Sequence, residues 1–163
     1  MTALFARPLR ESDHLPVLAA VAEWWGGNAN ASQLGLLLPR LFFQHFANTS
    51  TVLEDESGEM RAFLVGFRSQ SEPEVAYIHF VGVDPGYRLG GTGRALYESF
   101  FERMRALGCT EVRCITGPPN TTSQAFHAAM GFTASGDSVI DGVLAYPDYD
   151  GPGQPRVAFS RAI

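Results

Sequence analysis

The stretch Val81-Gly-Val-Asp-Pro-Gly-Tyr-Arg-Leu-Gly-Gly-Thr-Gly-Arg94 admits few structures. Upstream, Glu74 to Val83 is rich in β-branched and aromatic residues and reads as a strand. Downstream, Leu96, Phe100, Met104 and Leu107 recur at helical spacing between Ala95 and Leu107. Between them Asp84-Pro85-Gly86 opens a turn, and glycines stand at 90, 91 and 93. A strand that runs through such a turn into a helix leaves backbone N–H groups without partners, aimed at one place. With the helix dipole they favour a phosphate or pyrophosphate. The glycines keep side chains from blocking its approach. Arg88 and Arg94 add positive charge.

Two common phosphate loops are excluded. A Walker loop needs a lysine after its last glycine, and the chain has no lysine: all 12 basic residues are arginine. A dinucleotide fingerprint needs a third glycine where Leu96 stands. The 163 residues suffice for one domain with its own core, and the balance of 45% hydrophobic to 18% charged fits a globular enzyme. A net charge of −5 with no basic stripe argues against nucleic acid. No stretch approaches the roughly 20 apolar residues of a membrane span, and no basic leader precedes an apolar run near Met1, so a cytoplasmic protein is expected. Cys109 and Cys114 lie too close in sequence for a useful staple, and the scattered histidines offer no metal motif.

In chain order, Ala3–Leu9 reads as a strand, followed by a helix capped by Asp13 with Leu15, Leu18, Ala22 and Trp25 on one face and its end at Gly26-Gly27. A loop spans Gly26–Ala31. Helical spacing from Ser32 to Phe46 is interrupted at Pro39, which predicts a kink or two short helices. Thr51–Glu54 and Met60–Arg68 form a hairpin, Glu111–Thr116 a further strand, and Asn120–Met130 a helix ended by Gly131. Phe132–Ile140 contains a strand, Asp141–Pro155 reads as a polar loop, and Arg156–Ile163 as the terminal strand. This order predicts an α/β fold with a mixed sheet flanked by helices.

Two motifs carry a family resemblance. Arg88-x-x-Gly91-x-Gly93, directly after a strand ending Val-x-Val-Asp-Pro, resembles the acyl-CoA signature of the Gcn5-related N-acetyltransferase (GNAT) superfamily. Asn120-x-x-Ser123-x-x-Phe126-His127-x-x-Met130-Gly131-Phe132 is similar to that family's Asn-x-x-Ala-x-x-Leu-Tyr-x-x-x-Gly-Phe. The resemblance covers nearly the whole chain. It implies a mostly antiparallel sheet of about seven strands with about four helices, and a V-shaped opening where the fourth strand leaves the fifth. It also implies acetyl-CoA as cosubstrate: the pantetheine arm along Val81 and Val83, the pyrophosphate on Arg88, Leu89, Gly90, Gly91, Thr92, Gly93 and Arg94, and Asn120 near the thioester. The implied reaction is acetyl transfer to a small-molecule or peptide amine in one ternary complex, without a metal. An acyl-CoA sensor of the same fold, an O-acyltransferase and a non-enzymatic interaction domain are the alternative readings. Family members often dimerise.

Such chemistry needs a base to deprotonate an amine of pKa ~10 and a donor for the departing thiolate. His127 occupies the place of the family's tyrosine and is the candidate acid; its alternative is a polar lining of the cleft. His79, two residues before Val81 and expected on the same side of the strand, is the candidate base, its alternative a buried histidine satisfied by a neighbouring carbonyl; Glu23 is second, its alternative a solvated helix acid. Trp24, Trp25, Tyr77 and Tyr149 are candidate acceptor contacts, and with Asp148 and Asp150 they would suit a cationic amine.

Overall fold

The computed structural model describes residues 3–26 and 33–163. Its strands are β1 (Phe5–Pro8), β2 (Thr51–Glu54), β3 (Met60–Arg68), β4 (Val75–Val83), β5 (Glu111–Thr116), β6 (Thr133–Ser135), β7 (Ser138–Ile140), β8 (Val143–Ala145) and β9 (Val157–Ala162). Its helices are α1 (His14–Trp24), α2 (Leu41–His45), α3 (Thr92–Ala106) and α4 (Thr121–Ala129). Seven strands form one sheet in the order β1-β2-β3-β4-β5-β9-β6. Every pair is antiparallel except β4–β5. The fold is thus the mixed α/β architecture expected from the order of elements, with the mostly antiparallel sheet that the family resemblance implies.

Alternating apolar residues send the sheet's side chains to two cores. On one face Leu64, Ile78 and Val112 pack with Leu96, Phe100 and Met104 of α3. On the other, Val52, Phe63 and Val65 pack with Val17, Val21 and Trp24 of α1 and with Leu38 and Phe43. Each such side chain contributes about 1.5–3 kcal/mol by leaving water.

The β4–β5 ladder is short. It pairs Val75–Tyr77 with Glu111–Arg113 and then stops. From Ile78 to Val83 the edge of β4 facing β5 is open, so the two strands form a fork. A bulge marks the start of the open part: Gly66 pairs with Ile78 and Val65 with Phe80, leaving His79 as the extra residue. The bulge breaks the period of two. His79 therefore points toward Phe42 and α2, whereas Val81 and Val83 pack on the α3 side. This corrects the expectation that His79 and Val81 share a face.

Other local readings also shift. The buried stripe of α1 is Val17, Ala20, Val21 and Trp24, not Leu15, Leu18, Ala22 and Trp25; Leu15 is 65% exposed. Asp13 stands at the start of α1 but does not cap it. Its carboxylate binds Arg7 at 2.8 Å and accepts from the Arg10 N–H at 2.7 Å. Residues 33–35 are helical and α2 begins only after Pro39, as two short pieces. The loop expected from Gly26 to Ala31 and the helix start at Ser32 lie, beyond Gly26, outside the described residues. Phe132–Ile140 divides into β6 and β7, and the supposed loop after Asp141 contains β8, which pairs with β7. Asp141 (φ 51°) and Gly142 (φ 81°) join β7 and β8 as a two-residue hairpin turn, so this Asp-Gly pair was the overlooked signal.

Candidate active site

The glycine-rich turn leaves β4 at Asp84, whose carboxylate accepts from the Gly86 N–H at 2.8 Å and from Arg61 at 3.0 Å. Residues Pro85–Gly90 form a 3-10 turn, and Gly91 enters the left-handed region at φ 80° just before α3. A side chain is disfavoured there, and its absence matters. With glycine in the capping position, no side chain satisfies the first N–H groups of α3. The first helical bond runs from Ala95 N–H to Gly91 C=O at 3.0 Å. Leu89, Gly90 and Gly91 are exposed, so water or an anion can reach these donors. Arg94 is exposed and stands 3.6 Å from Glu98. The loop also borders a cavity of about 760 Å³, walled by Leu4 and Leu53 opposite Tyr87, Gly91, Thr92 and Ala95.

Arg88 is held by two backbone carbonyls. Its guanidinium donates to the Val83 carbonyl (3.0 Å) and to the Trp24 carbonyl (3.1 Å), and lies 5.7 Å above the Trp25 ring. Its side chain ties the glycine turn to the end of α1, and, because carbonyl acceptors leave a guanidinium charged, its positive charge stays beside that turn.

At the fork, His79 stacks on Phe42 with ring centres 4.1 Å apart, and its Nε2 is hydrogen-bonded to the Leu37 carbonyl. A carbonyl accepts only, so Nε2 carries the hydrogen and Nδ1 keeps its lone pair. Nδ1 has no hydrogen-bond partner among the described residues. Burial lowers the pKa of His79, opposed in part by the bond to Leu37. The neutral form that a base requires is therefore favoured.

His127 is placed otherwise than an acid would need. It is buried, with 5% exposure, between the rings of Tyr97, Phe126, Phe132 and Phe159, the last stacked at 4.8 Å. Nδ1–H donates to the Ser123 carbonyl at 2.7 Å, and Nε2 accepts from the Tyr97 hydroxyl at 3.0 Å. Desolvation lowers its pKa, against the Ser123 bond. Both ring nitrogens are occupied, and the neutral ring has no free proton to give. The expectation of a proton donor at this position conflicts with that packing. Asn120 caps α4 through its side-chain oxygen, 3.1 Å from the Ser123 nitrogen, which leaves its amide NH₂ free.

The acceptor candidates divide. Trp24 is core, stacked 6.0 Å from Phe63, which corrects its assignment to the mouth. Trp25 is half-buried against Phe80 and Arg88. Tyr77 packs on Phe67 at 5.5 Å, and burial, with Tyr149 and Asp150 nearby, pushes its pKa up. Tyr149 is 48% exposed beside Tyr146. Glu23 is exposed on α1. Gly82 packs directly against Phe63, where a Cβ would lie 2.3 Å from the ring. Sequence reasoning missed Tyr97, which reads as another core residue of α3, and Arg61, whose partners Asp55, Glu59 and Asp84 are distributed over two turns. No cluster of three or more metal-ligating side chains occurs among the described residues, and no helix there is long and apolar enough to cross a membrane.

An open strand edge beside an uncapped glycine turn is the geometry that the two motifs imply, and comparison with known proteins agrees. The L-2,4-diaminobutyric acid acetyltransferase of Nocardia farcinica is 30% identical over 90 residues, which span 55% of this chain and 46%, about half, of that protein. Ard1 from Thermoplasma volcanium superposes with a TM-score of 0.75 at 19% identity, over 99% of this chain and 98% of that one. The diaminobutyrate acetyltransferase EctA from Paenibacillus lautus, solved with its substrate L-2,4-diaminobutyric acid and coenzyme A, gives 0.66 at 18% identity, over 98% and 95%. At these identities the superpositions establish the fold. Residues 18–132, which contain most of α1, the fork, the glycine turn and α4, match the sequence profile of the Acetyltransferase (GNAT) family, and the chain belongs to that family.

Proposed function

We propose that the protein is an acetyl-CoA-dependent N-acetyltransferase acting on a small amine, with His79 as the base. The observation that carries this reading is the position of His79 at the fork, its tautomer set by the Leu37 carbonyl and its pKa lowered by burial.

The residues present suit the cosubstrate. The uncapped start of α3 and the Gly91–Gly93 backbone offer donors to a pyrophosphate. The open edge of β4 around Val81 and Val83 offers amide groups to an extended arm, as a sheet edge accepts an added strand. The Asn120 amide is free to donate to the same arm. Bound acetyl-CoA would supply an activated acyl group on sulfur. His79 Nδ1 takes a proton from the acceptor ammonium, and the freed amine attacks the acyl carbon. The C–N bond forms, the C–S bond breaks, and the proton that the nitrogen sheds as the neutral amide forms passes through water to the thiolate. Because the forming amide supplies that proton, a thiolate of parent pKa ~8.5 needs no side-chain donor. His127 serves as a positioning residue that fixes α4 against α3 through Tyr97.

The test is calorimetric titration of acetyl-CoA beside dephospho-CoA and NAD, followed by an amine screen that reads thiol release. Micromolar acetyl-CoA binding with amine-dependent thiol release is expected. Binding without release from any amine would make the protein an acyl-CoA sensor; no binding would remove the cosubstrate from the reading.

A further inference from the structure

Beside His79 lies a run of aromatic rings that neither the cosubstrate nor the base requires. Phe42 stacks on His79 at 4.1 Å, Phe46 lies 5.3 Å from Phe42, Phe67 4.9 Å from Phe46, and Tyr77 5.5 Å from Phe67. All four are half-buried, so each keeps an open side, unlike the core rings Phe43 and Phe63. The patch continues onto the segment that holds His79: Leu36 is 80% exposed, and Leu37 and Leu41 are each 46% exposed. Leucines exposed to that degree, contiguous with open rings, form the kind of apolar surface that marks a binding site.

The two arginines beside Tyr77 are paired with acids. Arg113, in register with Tyr77, binds Glu72 and Glu111, and Arg156 binds Asp150 at 2.7 Å; Arg68, next to Phe67 on β3, leaves the sheet on the opposite face and donates to the Pro73 carbonyl. The chain has no lysine to add. A carboxylate on the acceptor would be desolvated beside Tyr77, where both arginines already have acidic partners, which is costly. A flat apolar group would instead bury against the rings while its amine reached His79 Nδ1.

We propose that the acceptor is a primary amine joined by a short linker to a flat apolar group, and not a free amino acid. The proposal rests on the acetyltransferase reading above and names its substrate class. It departs from the diaminobutyrate named for two of the similar proteins.

The experiment compares kcat/KM for tryptamine, phenethylamine, propylamine and L-2,4-diaminobutyrate with saturating acetyl-CoA, read by thiol release, in the native protein and in Phe67→Leu. The two arylalkylamines are expected to exceed the other two at least tenfold. Phe67→Leu is expected to lower the tryptamine value roughly tenfold, mainly through KM, and the propylamine value by much less. A peptide beginning with Phe carries the same chemistry; its turnover above that of tryptamine would identify the source as a protein N-terminus. Equal or better use of diaminobutyrate overturns the proposal, as does an equal loss for tryptamine and propylamine in Phe67→Leu. Acetyl-CoA binding without turnover of any amine overturns the acetyltransferase reading itself, a result distinct from a wrong choice of acceptor.

Discussion

The Tyr97 hydroxyl and Nε2 of His127 lie 3.0 Å apart, joining α3 to α4 across 30 residues of sequence. With Nδ1–H held by the Ser123 carbonyl, the imidazole is locked as a neutral acceptor. Tyr97→Phe removes the donor and strands a buried nitrogen, a loss of about 1–3 kcal/mol. At roughly 2–4 °C per kcal/mol for a domain of this size, thermal unfolding reads it directly. His127→Phe should leave kcat within about tenfold, because a true general acid would be worth roughly 10²-fold or more. A larger fall in kcat at constant acetyl-CoA affinity would return His127 to the chemistry.

His79→Gln keeps an N–H for the Leu37 carbonyl but abolishes the base. Turnover should fall by roughly 10²–10³-fold with acetyl-CoA affinity retained. In the native protein, the lowered pKa of His79 puts the acid limb of the kcat–pH profile below the ordinary histidine value of ~6.5. The limb should be missing from the variant.

Both His79 and His127 have folded-state pKa values below the unfolded value. Between the unfolded ~6.5 and the lower folded values, the unfolded chain binds more protons. Stability contributed by these two groups is therefore complete above pH ~6.5 and declines as pH falls through the folded pKa values. Urea midpoints at pH 7.5 and 5.5 should separate, and the separation should shrink in His127→Phe.

Gly93→Asp tests the cradle with opposite signs. A carboxylate in the first turn of α3 suits the helix dipole. A Cβ at this position meets Phe126 at an ordinary 3.5 Å, so the fold should be as stable as before or more so. The same charge should repel the pyrophosphate and weaken acetyl-CoA binding at least 10²-fold by calorimetry. Unchanged affinity would place the phosphates elsewhere.

Arg61 holds the loop from behind, bridging Asp55 at 2.8 Å, Asp84 at 3.0 Å and Glu59. Arg61→Met frees Asp84 from that tie while the Asp84 bond to Gly86 remains possible. The Kd for acetyl-CoA should rise about tenfold, with kcat at saturation changing by less than about threefold.

The sequence by itself determined the elements whose cause is local. The hairpin β2–β3, the glycine turn into α3 and the break at Pro39 follow from residues within a few positions of one another. So did the order of the main-sheet elements, because each apolar period needs a neighbour to cover it, whereas the β7–β8 pair was missed. Tertiary structure decided which way the functional side chains face. His79 turned toward Phe42 because a bulge arises only when β4 pairs with β3. Trp24 went into the core because the buried stripe of α1 is set by the sheet beneath it, not by its own spacing. Arg88 was drawn to a carbonyl 64 residues earlier, and His127 was enclosed by Tyr97 and Phe159 from distant elements. Backbone conformation answers to near neighbours in the chain, whereas burial, tautomer and charge pairing answer to neighbours in space.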